Sequence, residues 1–280
     1  MTRTEVTATV EGGSLVGWRL GSGPRVLLLH GGPGMSYEIM DAFVEELGDG
    51  YELASFQQRG LAPSLTDGPF TIEVAVSDVL AFLDALGWQK AYVLGYSWGG
   101  HLLWHLLVAA PDRLLGALAL DPLGGVGDGG SAAFEAEMNA RTPEADREKA
   151  EELDRRAMAG EASEEEAMES MRLYWPAYFG DRAHILPMPP MRFSMPSYSG
   201  LFEALQERLP SLASALPQVR VPVGVVVGER SPMPPEEAGL ATAAVIPGAW
   251  TVVVDGAGHM PWFERPGSVR AGLDRLTGTS

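Results

Sequence analysis

The residues with the clearest chemical potential lie in segment 95–100, which reads GYSWGG. It contains a G-x-S-x-G pattern, follows a β-rich run and precedes a long apolar helical pattern. This context predicts a sharp strand-to-helix turn that lifts the serine out of a sheet and sets it at a helix N-terminus, where backbone N–H groups favour developing negative charge. Ser97 is therefore a candidate nucleophile for acyl transfer.

A second segment, 30–34, reads HGGPG and follows an earlier predicted strand. Acyl transfer needs two backbone N–H donors aimed at the oxyanion, one after the nucleophile and one from such a loop. Pro33 has no N–H to donate, so the candidate oxyanion donors are the N–H groups of Gly32 and Trp98. By itself the segment would be a simple Gly/Pro turn, and its pairing with segment 95–100 favours the functional interpretation.

The third segment, 256–259, reads GAGH and ends the last predicted strand. A histidine on such a turn can approach a serine as a general base, and His259 follows Ser97 in the chain order expected of this chemistry. His101 and His105 are spaced i,i+4 on the helix behind Ser97. We interpret them as core or helix-face residues, with metal ligation as the weaker alternative.

Elements that could position these residues alternate along the chain. Short apolar strands alternate with helical apolar spacing, which predicts an α/β fold with a mostly parallel central sheet and helices on both faces. Strands are predicted at residues 6–10, 15–20, 25–30, 51–56, 91–96, 114–121, 221–228 and 250–255. Helices are predicted at residues 38–47, 71–86, from about 101 onwards, and near 269–276.

Residues 124–212 break this alternation, opening with a Gly-rich linker and continuing with charged helical sequence. They predict a helical cap domain inserted into a core formed by residues 1–123 and 213–280. An aromatic cluster in the cap makes Tyr174, Trp175 and Tyr178 candidate substrate-binding residues. Packing of the cap onto the core would explain the same cluster equally well.

Composition limits the partners. The chain has 280 residues, no cysteine and a formal net charge of −17. Disulfides and thiolate chemistry are excluded, and the charge argues against nucleic acid or an anionic membrane as a partner. The N-terminal residues lack signal-peptide character, and no apolar run is long enough to span a bilayer, so we expect a soluble cytoplasmic protein acting on a small molecule. No metal or organic cofactor is implied, and the oligomeric state is not predicted.

Taken together, HGGPG, GYSWGG and GAGH resemble the α/β-hydrolase superfamily, and the first two most resemble its proline iminopeptidase-like branch. Segment 57–64, QQRGLAPS, resembles that branch's DQRGxGxS loop, with Gln57 in place of Asp and Ala62 in place of the second Gly. The resemblance implies a serine hydrolase with a catalytic triad, an oxyanion hole and a cap. The candidate activities are a carboxylesterase and a proline iminopeptidase-like aminopeptidase.

One part of the family pattern is missing. The triad acid usually follows the strand after the cap in a G-x-x-D pattern, whereas this chain has Ser231 at that position. The favoured replacement is Asp121, after the strand before the cap, where some superfamily members, including a group of haloalkane dehalogenases, place the acid. The alternatives are Glu229 on the same loop as Ser231, or no acid at all. Without an acid, the chain would be a weak Ser–His dyad or a non-catalytic binding protein. We interpret Asp255 as structural.

Overall fold

An eight-stranded sheet forms the centre of the structure, a computed structural model that describes residues 2–159 and 161–279. The strand order is β1-β2-β4-β3-β5-β6-β7-β8. The first three in this order pair antiparallel and the others pair parallel. The strands are β1 Thr4–Val10, β2 Gly13–Gly21, β3 Arg25–Leu29, β4 Glu52–Phe56, β5 Ala91–Tyr96, β6 Leu114–Leu120, β7 Val223–Gly228 and β8 Trp250–Val254.

Helices cover both faces of this sheet, which confirms the predicted fold class. They are α1 Asp41–Leu47, α2 Ile72–Ala85, α3 Trp98–Ala109, α4 Ser131–Arg141, α5 Glu144–Met158, α6 Glu164–Tyr174, α7 Met195–Ala215, α8 Gly239–Val245, α9 Pro261–Glu264 and α10 Ser268–Thr277. Single 3₁₀ turns lie at Tyr37–Met40, Pro111–Arg113, Trp175–Tyr178 and Leu216–Gln218. Within residues 2–159 and 161–279, no helix combines the length and apolar character needed to cross a membrane.

Two apolar layers hold the helices on the sheet. Side chains alternate along β3, so that Leu27 and Leu29 enter one layer while Val26 and Leu28 enter the other. The first layer includes apolar residues of α2, α3 and α7, and the second includes those of α1 and α10. Because both faces of the central strands are covered, their sequences are continuous apolar runs rather than alternating ones.

Residues 124–212, called the cap below, contain α4, α5, α6 and most of α7. The predicted boundary at residue 212 falls inside α7, which continues to Ala215. Its leucines at i, i+4 and i+8 (Leu201, Leu205 and Leu209) are buried in the first apolar layer. The last cap helix therefore packs directly on the core helices that flank the sheet.

The helix predicted at residues 38–47 is divided in the structure. Its beginning forms the 3₁₀ turn Tyr37–Met40, and α1 begins only at Asp41. Ile39 and Met40 are buried in this turn. The predicted helix after segment 95–100 begins earlier than expected, at Trp98 rather than near His101.

Candidate active site

Ser97 occupies a strained turn between β5 and α3. Its backbone has φ 53° and ψ −116°, a conformation rare for residues other than glycine. The turn closes only because its flanking positions are glycines. A Cβ at Gly95 would lie 2.3 Å from Gly99 O, and a Cβ at Gly99 would lie 2.2 Å from Leu29 O. This sterically explains the G-x-S-x-G pattern and leaves the Ser97 side chain at the carboxyl edge of the sheet.

The structure brings Ser97, His259 and Asp121 into one hydrogen-bonded chain. His259 Nε2 lies 3.0 Å from Ser97 Oγ, and His259 Nδ1 lies 2.5 Å from Asp121 Oδ2. All three residues are buried, with 9%, 4% and 1% of Ser97, His259 and Asp121 exposed. A carboxylate that accepts from Nδ1–H leaves Nε2 free to accept the serine proton.

Backbone geometry aims Asp121 at His259 across the end of β7. Asp121 follows β6 with φ 43°, and its N–H donates to Val226 O at 2.7 Å. Its Oδ1 accepts from the Gly228 N–H at 2.9 Å, and its Oδ2 accepts from the Ser231 hydroxyl at 2.5 Å. The carboxylate is thus held on both oxygens, as a buried charge requires.

The other acidic candidates point elsewhere. Glu229 Oε2 accepts from the Gly256 N–H at 2.9 Å, and its side chain is 49% exposed. Asp255 is also exposed. Neither carboxylate is brought to His259 Nδ1, whereas Ser231 Oγ lies 3.5 Å from that nitrogen.

The two candidate oxyanion donors belong to segments next to Ser97. Trp98 is the first residue of α3, so its N–H has no partner within the helix. Gly32 has φ 63° in a loop that passes close to Ser97, because a Cβ added at the neighbouring Gly31 would lie 3.1 Å from Ser97 Cβ. The arrangement suits an anion formed next to Ser97 Oγ.

Segment 57–64 braces this loop. The Trp98 indole Nε1–H donates to Gln58 Oε1 at 2.9 Å, and the Gln58 amide Nε2 donates to His30 O at 3.2 Å. The Gln58 N–H donates to His30 Nε2 at 3.2 Å, which assigns the imidazole hydrogen to Nδ1, 2.9 Å from Gly31 O. Burial lowers the pKa of His30 to about 4, so the ring is neutral in this network.

Gln57 stands where the loop that segment 57–64 resembles has Asp. Its side-chain amide forms hydrogen bonds with the backbone just after segment 30–34. Its Nε2 donates to Met35 O at 3.1 Å, and its Oε1 accepts from the Tyr37 N–H at 3.1 Å. An amide can both donate and accept here, whereas an ionised carboxylate could only accept. The substitution therefore suits the local backbone.

Backbone hydrogen bonds join the loop that carries Gly32 to the cap. Met35 forms an isolated antiparallel bridge with Phe193. The Ser36 N–H donates to Arg192 O at 3.1 Å, and the Ser194 N–H donates to Gly34 O at 2.8 Å. The cap thus borders the loop that carries Gly32.

The cap also holds the turn that carries His259. The His259 N–H donates to Tyr178 O at 2.8 Å, and the His259 ring lies between the rings of Tyr96 and Tyr178, with centroids 5.1 and 5.3 Å away. The Glu264 carboxylate accepts from the Gly258 N–H at 2.6 Å and from the Gly180 N–H at 3.2 Å. These contacts fix the imidazole between core and cap.

A small, mostly apolar pocket of about 70 Å³ opens beside Ser97. Of the predicted substrate-binding residues, Trp175 and Tyr178 line it, whereas Tyr174 is not among its lining residues. Core and cap both contribute to its wall. The lining residues are Gly31, Gly32, Met35, Ser36, Ile39, Tyr96, Ser97, Met171, Trp175, Tyr178, Met191, His259 and Met260.

His101 and His105 form a buried pair behind the nucleophile, with their Nε2 atoms 3.2 Å apart. His101 Nδ1 lies 3.0 Å from Gly124 O, and burial lowers the pKa of His101 to about 3 and that of His105 to about 4. Across residues 2–159 and 161–279, no group of three or more His, Cys, Asp or Glu side chains is arranged to hold a metal ion.

Sequence reasoning missed several residues that shape this site. The family pattern marks Ser231 only as the missing acid, but its position after β7 also indicates a partner for the carboxylate that replaces it. Met191 belongs to the Met-rich segment beside the aromatic cluster, which the sequence already associates with an apolar acyl group. Glu264 and the other pocket methionines, Met35, Met171 and Met260, carry no sequence pattern, because they converge from distant segments.

Comparison with known proteins agrees with this architecture. The family model described as the alpha/beta hydrolase fold matches residues 24–266. Epoxide hydrolase B of Mycobacterium tuberculosis is 33% identical over 109 residues, which cover 38% of this chain and 31% of that protein. The match thus spans less than a third of that relative's length.

Solved structures match over nearly the whole chain. A thermophilic esterase from Thermogutta terrifontis is 25% identical with a TM-score of 0.66, covering 99% of both chains. A proline iminopeptidase from Mycobacterium smegmatis is 22% identical with a TM-score of 0.68, covering 98% of both, and this likeness concerns the fold alone. With its sheet, its strand-to-helix turn and a family match over most of its length, the chain belongs to the α/β-hydrolase fold family.

Proposed function

We propose that this protein is a serine hydrolase that cleaves an ester or amide bond of a small substrate through an acyl-enzyme on Ser97. His259 is the general base, and Asp121 is the acid that orients it. The observation that carries the proposal is the continuous hydrogen-bond chain from Ser97 Oγ to His259 Nε2 at 3.0 Å and from His259 Nδ1 to Asp121 Oδ2 at 2.5 Å.

In the first half of the reaction, Ser97 Oγ bonds to the substrate carbonyl carbon while its proton passes to His259 Nε2. Asp121 stabilises the imidazolium that forms. The tetrahedral intermediate then collapses, and the leaving alcohol or amine takes the proton from Nε2. The acyl group remains bonded to Ser97 Oγ.

In the second half, a water molecule gives a proton to His259 Nε2 as its oxygen adds to the acyl carbon. Collapse of this intermediate breaks the bond to Ser97 Oγ, which recovers the proton from Nε2, and the carboxylic acid product leaves. In both halves, the N–H groups of Gly32 and Trp98 donate to the oxyanion. Removing one such donor in other enzymes costs about 10²–10³ in kcat.

The pocket favours a small neutral ester over a peptide with a free amino terminus. An aminopeptidase must bind the substrate ammonium, for which a carboxylate is the usual partner. Among the described residues that line the pocket, none is Asp or Glu, while four are methionines. The similarity to an esterase at 25% identity supports the same choice.

The test is active-site labelling of the pure protein with a fluorophosphonate, followed by intact mass. Wild type should gain one adduct, and Ser97→Ala should gain none. Ser211→Ala is the matched control, because Ser211 is an exposed serine on α7. It should label like wild type.

A panel of p-nitrophenyl esters and prolyl p-nitroanilide then identifies the bond. We expect turnover of acetate and butyrate esters and much slower turnover of the anilide. Absence of both labelling and turnover in wild type would overturn acyl transfer on Ser97, and preferred cleavage of the anilide would favour the aminopeptidase.

A further inference from the structure

We infer that Ser231 is a positioning residue for Asp121, locking the carboxylate that orients His259. This inference rests on the proposed function. Ser231 Oγ lies 2.5 Å from Asp121 Oδ2, the same oxygen that accepts from His259 Nδ1. Ser231 touches no substrate in the proposed reaction, so it acts only through the carboxylate.

The direction of the hydrogen bond follows from the partners of the hydroxyl. Ser231 Oγ accepts from the Met233 N–H at 3.1 Å, which leaves its own hydrogen free to donate. The nearby acceptor is Asp121 Oδ2, because His259 Nδ1, at 3.5 Å, directs its own hydrogen to that same oxygen. The serine therefore donates to the carboxylate.

Burial makes this donor hard to replace. Ser231 is 3% exposed and Asp121 is 1% exposed. Asp121 Oδ1 already accepts from the Gly228 N–H at 2.9 Å, and that bond alone allows the carboxylate to pivot about its Cβ–Cγ bond. Ser231 fixes the other oxygen, so the rotation that would carry Oδ2 away from His259 is blocked.

The same geometry makes the acid position transferable. The Ser231 side chain already ends 3.5 Å from His259 Nδ1, and an aspartate there would carry its carboxylate oxygens one bond farther along that direction. Two neighbouring strand ends, after β6 and after β7, thus face one imidazole. An acid placed at either end can serve it.

The experiment is a double-mutant cycle on hydrolysis of p-nitrophenyl butyrate, with Ser231→Ala, Asp121→Asn and the two combined. We expect Ser231→Ala to lower kcat about tenfold, since a hydrogen bond to a charged group is lost, and to leave KM nearly unchanged. In the Asp121→Asn background, Ser231→Ala should have no further effect on kcat. A purely structural role would cost the same factor in both backgrounds, and that result would overturn the inference.

A swap provides the second measurement. Asp121→Asn should lower kcat by about 10⁴, and adding Ser231→Asp to it should restore about 10² of that loss. Failure of the swap to exceed Asp121→Asn, in a protein that keeps its circular dichroism spectrum, would contradict the transferable position.

A readout independent of turnover separates this inference from the proposed function. The low-field proton resonance of the His259 Nδ1–H should move in Ser231→Ala and stay in place in Glu229→Gln. Labelling of Ser97 in wild type tests the proposed function alone. A resonance unmoved by Ser231→Ala would overturn the positioning role even where labelling succeeds.

Discussion

Asp121 Oδ2 lies 2.5 Å from His259 Nδ1, although Asp121 follows β6, His259 follows β8 and β7 lies between these strands. The carboxylate spans this gap by crossing the end of β7. Gly228 has no side chain there, and its N–H donates to Asp121 Oδ1. An aspartate at this position of positive φ reaches the histidine, so a longer side chain is not needed.

Replacing Asp121 with asparagine should slow fluorophosphonate labelling and ester turnover by about 10⁴, since the amide cannot stabilise the imidazolium. Glu229→Gln is the matched control, because Glu229 bonds Gly256 N–H rather than the imidazole. Its rates should equal those of wild type. Stopped-flow hydrolysis and labelling rates give both values, and a slow Glu229→Gln with a fast Asp121→Asn would assign the acid to Glu229.

The end of β7 should tolerate no side chain. A Cβ at Gly228 would lie 2.0 Å from Gly258 O and 2.5 Å from Ala257 O, both backbone atoms of the turn before His259. We expect Gly228→Ala to lower the free energy of unfolding by about 3 kcal/mol and kcat by about 10², because the turn must shift. Urea denaturation and steady-state kinetics measure the two effects.

Gly116→Ala is the control for that substitution, since Gly116 is also a strand glycine. Its Cβ would meet the side chains of Leu276 and Tyr92 at 3.0 and 3.1 Å, far from the site. It should cost stability and leave kcat intact. Equal loss of kcat in both variants would mean that the contact with the histidine turn is unimportant.

The pocket should set the length of the acyl group. Met171 is half-buried and lines the pocket, so Met171→Ala should enlarge it without exposing the core. We expect kcat/KM for hexanoate relative to butyrate esters to rise about tenfold, in line with the value of methylene groups in apolar sites. Leu173→Ala, on the same helix but outside the lining, should keep the wild-type ratio. An unchanged ratio in Met171→Ala would place the acyl group elsewhere.

Acid should destabilise the fold through its buried histidines. Burial lowers the pKa of His30, His101 and His105 to about 4, about 3 and about 4, against 6.5 for an unperturbed histidine. At a pH between 6.5 and these lowered pKa values, the histidines bind protons in the unfolded chain but stay neutral in the folded chain. The free energy of unfolding therefore falls as the pH drops below 6.5. Each of the three contributes a slope approaching about 1.4 kcal/mol per pH unit.

His101→Gln should remove one such contribution, because glutamine can still donate to Gly124 O but does not titrate. Urea unfolding at pH 7, 6 and 5 measures the slope. Leu102→Met, a neighbouring buried change, should lower the stability at every pH and keep the wild-type slope. A wild-type slope in His101→Gln would show that the histidine charges in the folded state.

The local parts of this structure were predictable from local sequence. Strand β5 has the predicted bounds. The Ser97 turn requires glycines at positions 95 and 99, because a Cβ at either position would clash with backbone atoms. Such features depend on neighbours within a few residues. The roles of Ser97, His259 and Asp121 stay predictions that the geometry supports.

The remaining parts depend on sheet order and on packing at a distance. Choosing Asp121 over Glu229 requires knowing that β6 and β7 end side by side and that Glu229 turns toward Gly256. The pocket joins Met35, Met171 and Met191 from three separate segments. The division of the predicted helix at Met40 likewise reflects burial of the 3₁₀ turn rather than local propensity.

The bridge between Met35 and Phe193 has a mechanical consequence. Residues 34–36 and 192–194 share backbone hydrogen bonds, so any displacement of one segment must carry the other with it. Moving the cap away on this side must either break these hydrogen bonds or pull Gly32 away from Ser97. Access of substrate to the pocket and stabilisation of the oxyanion by Gly32 are therefore mechanically coupled along this edge of the molecule.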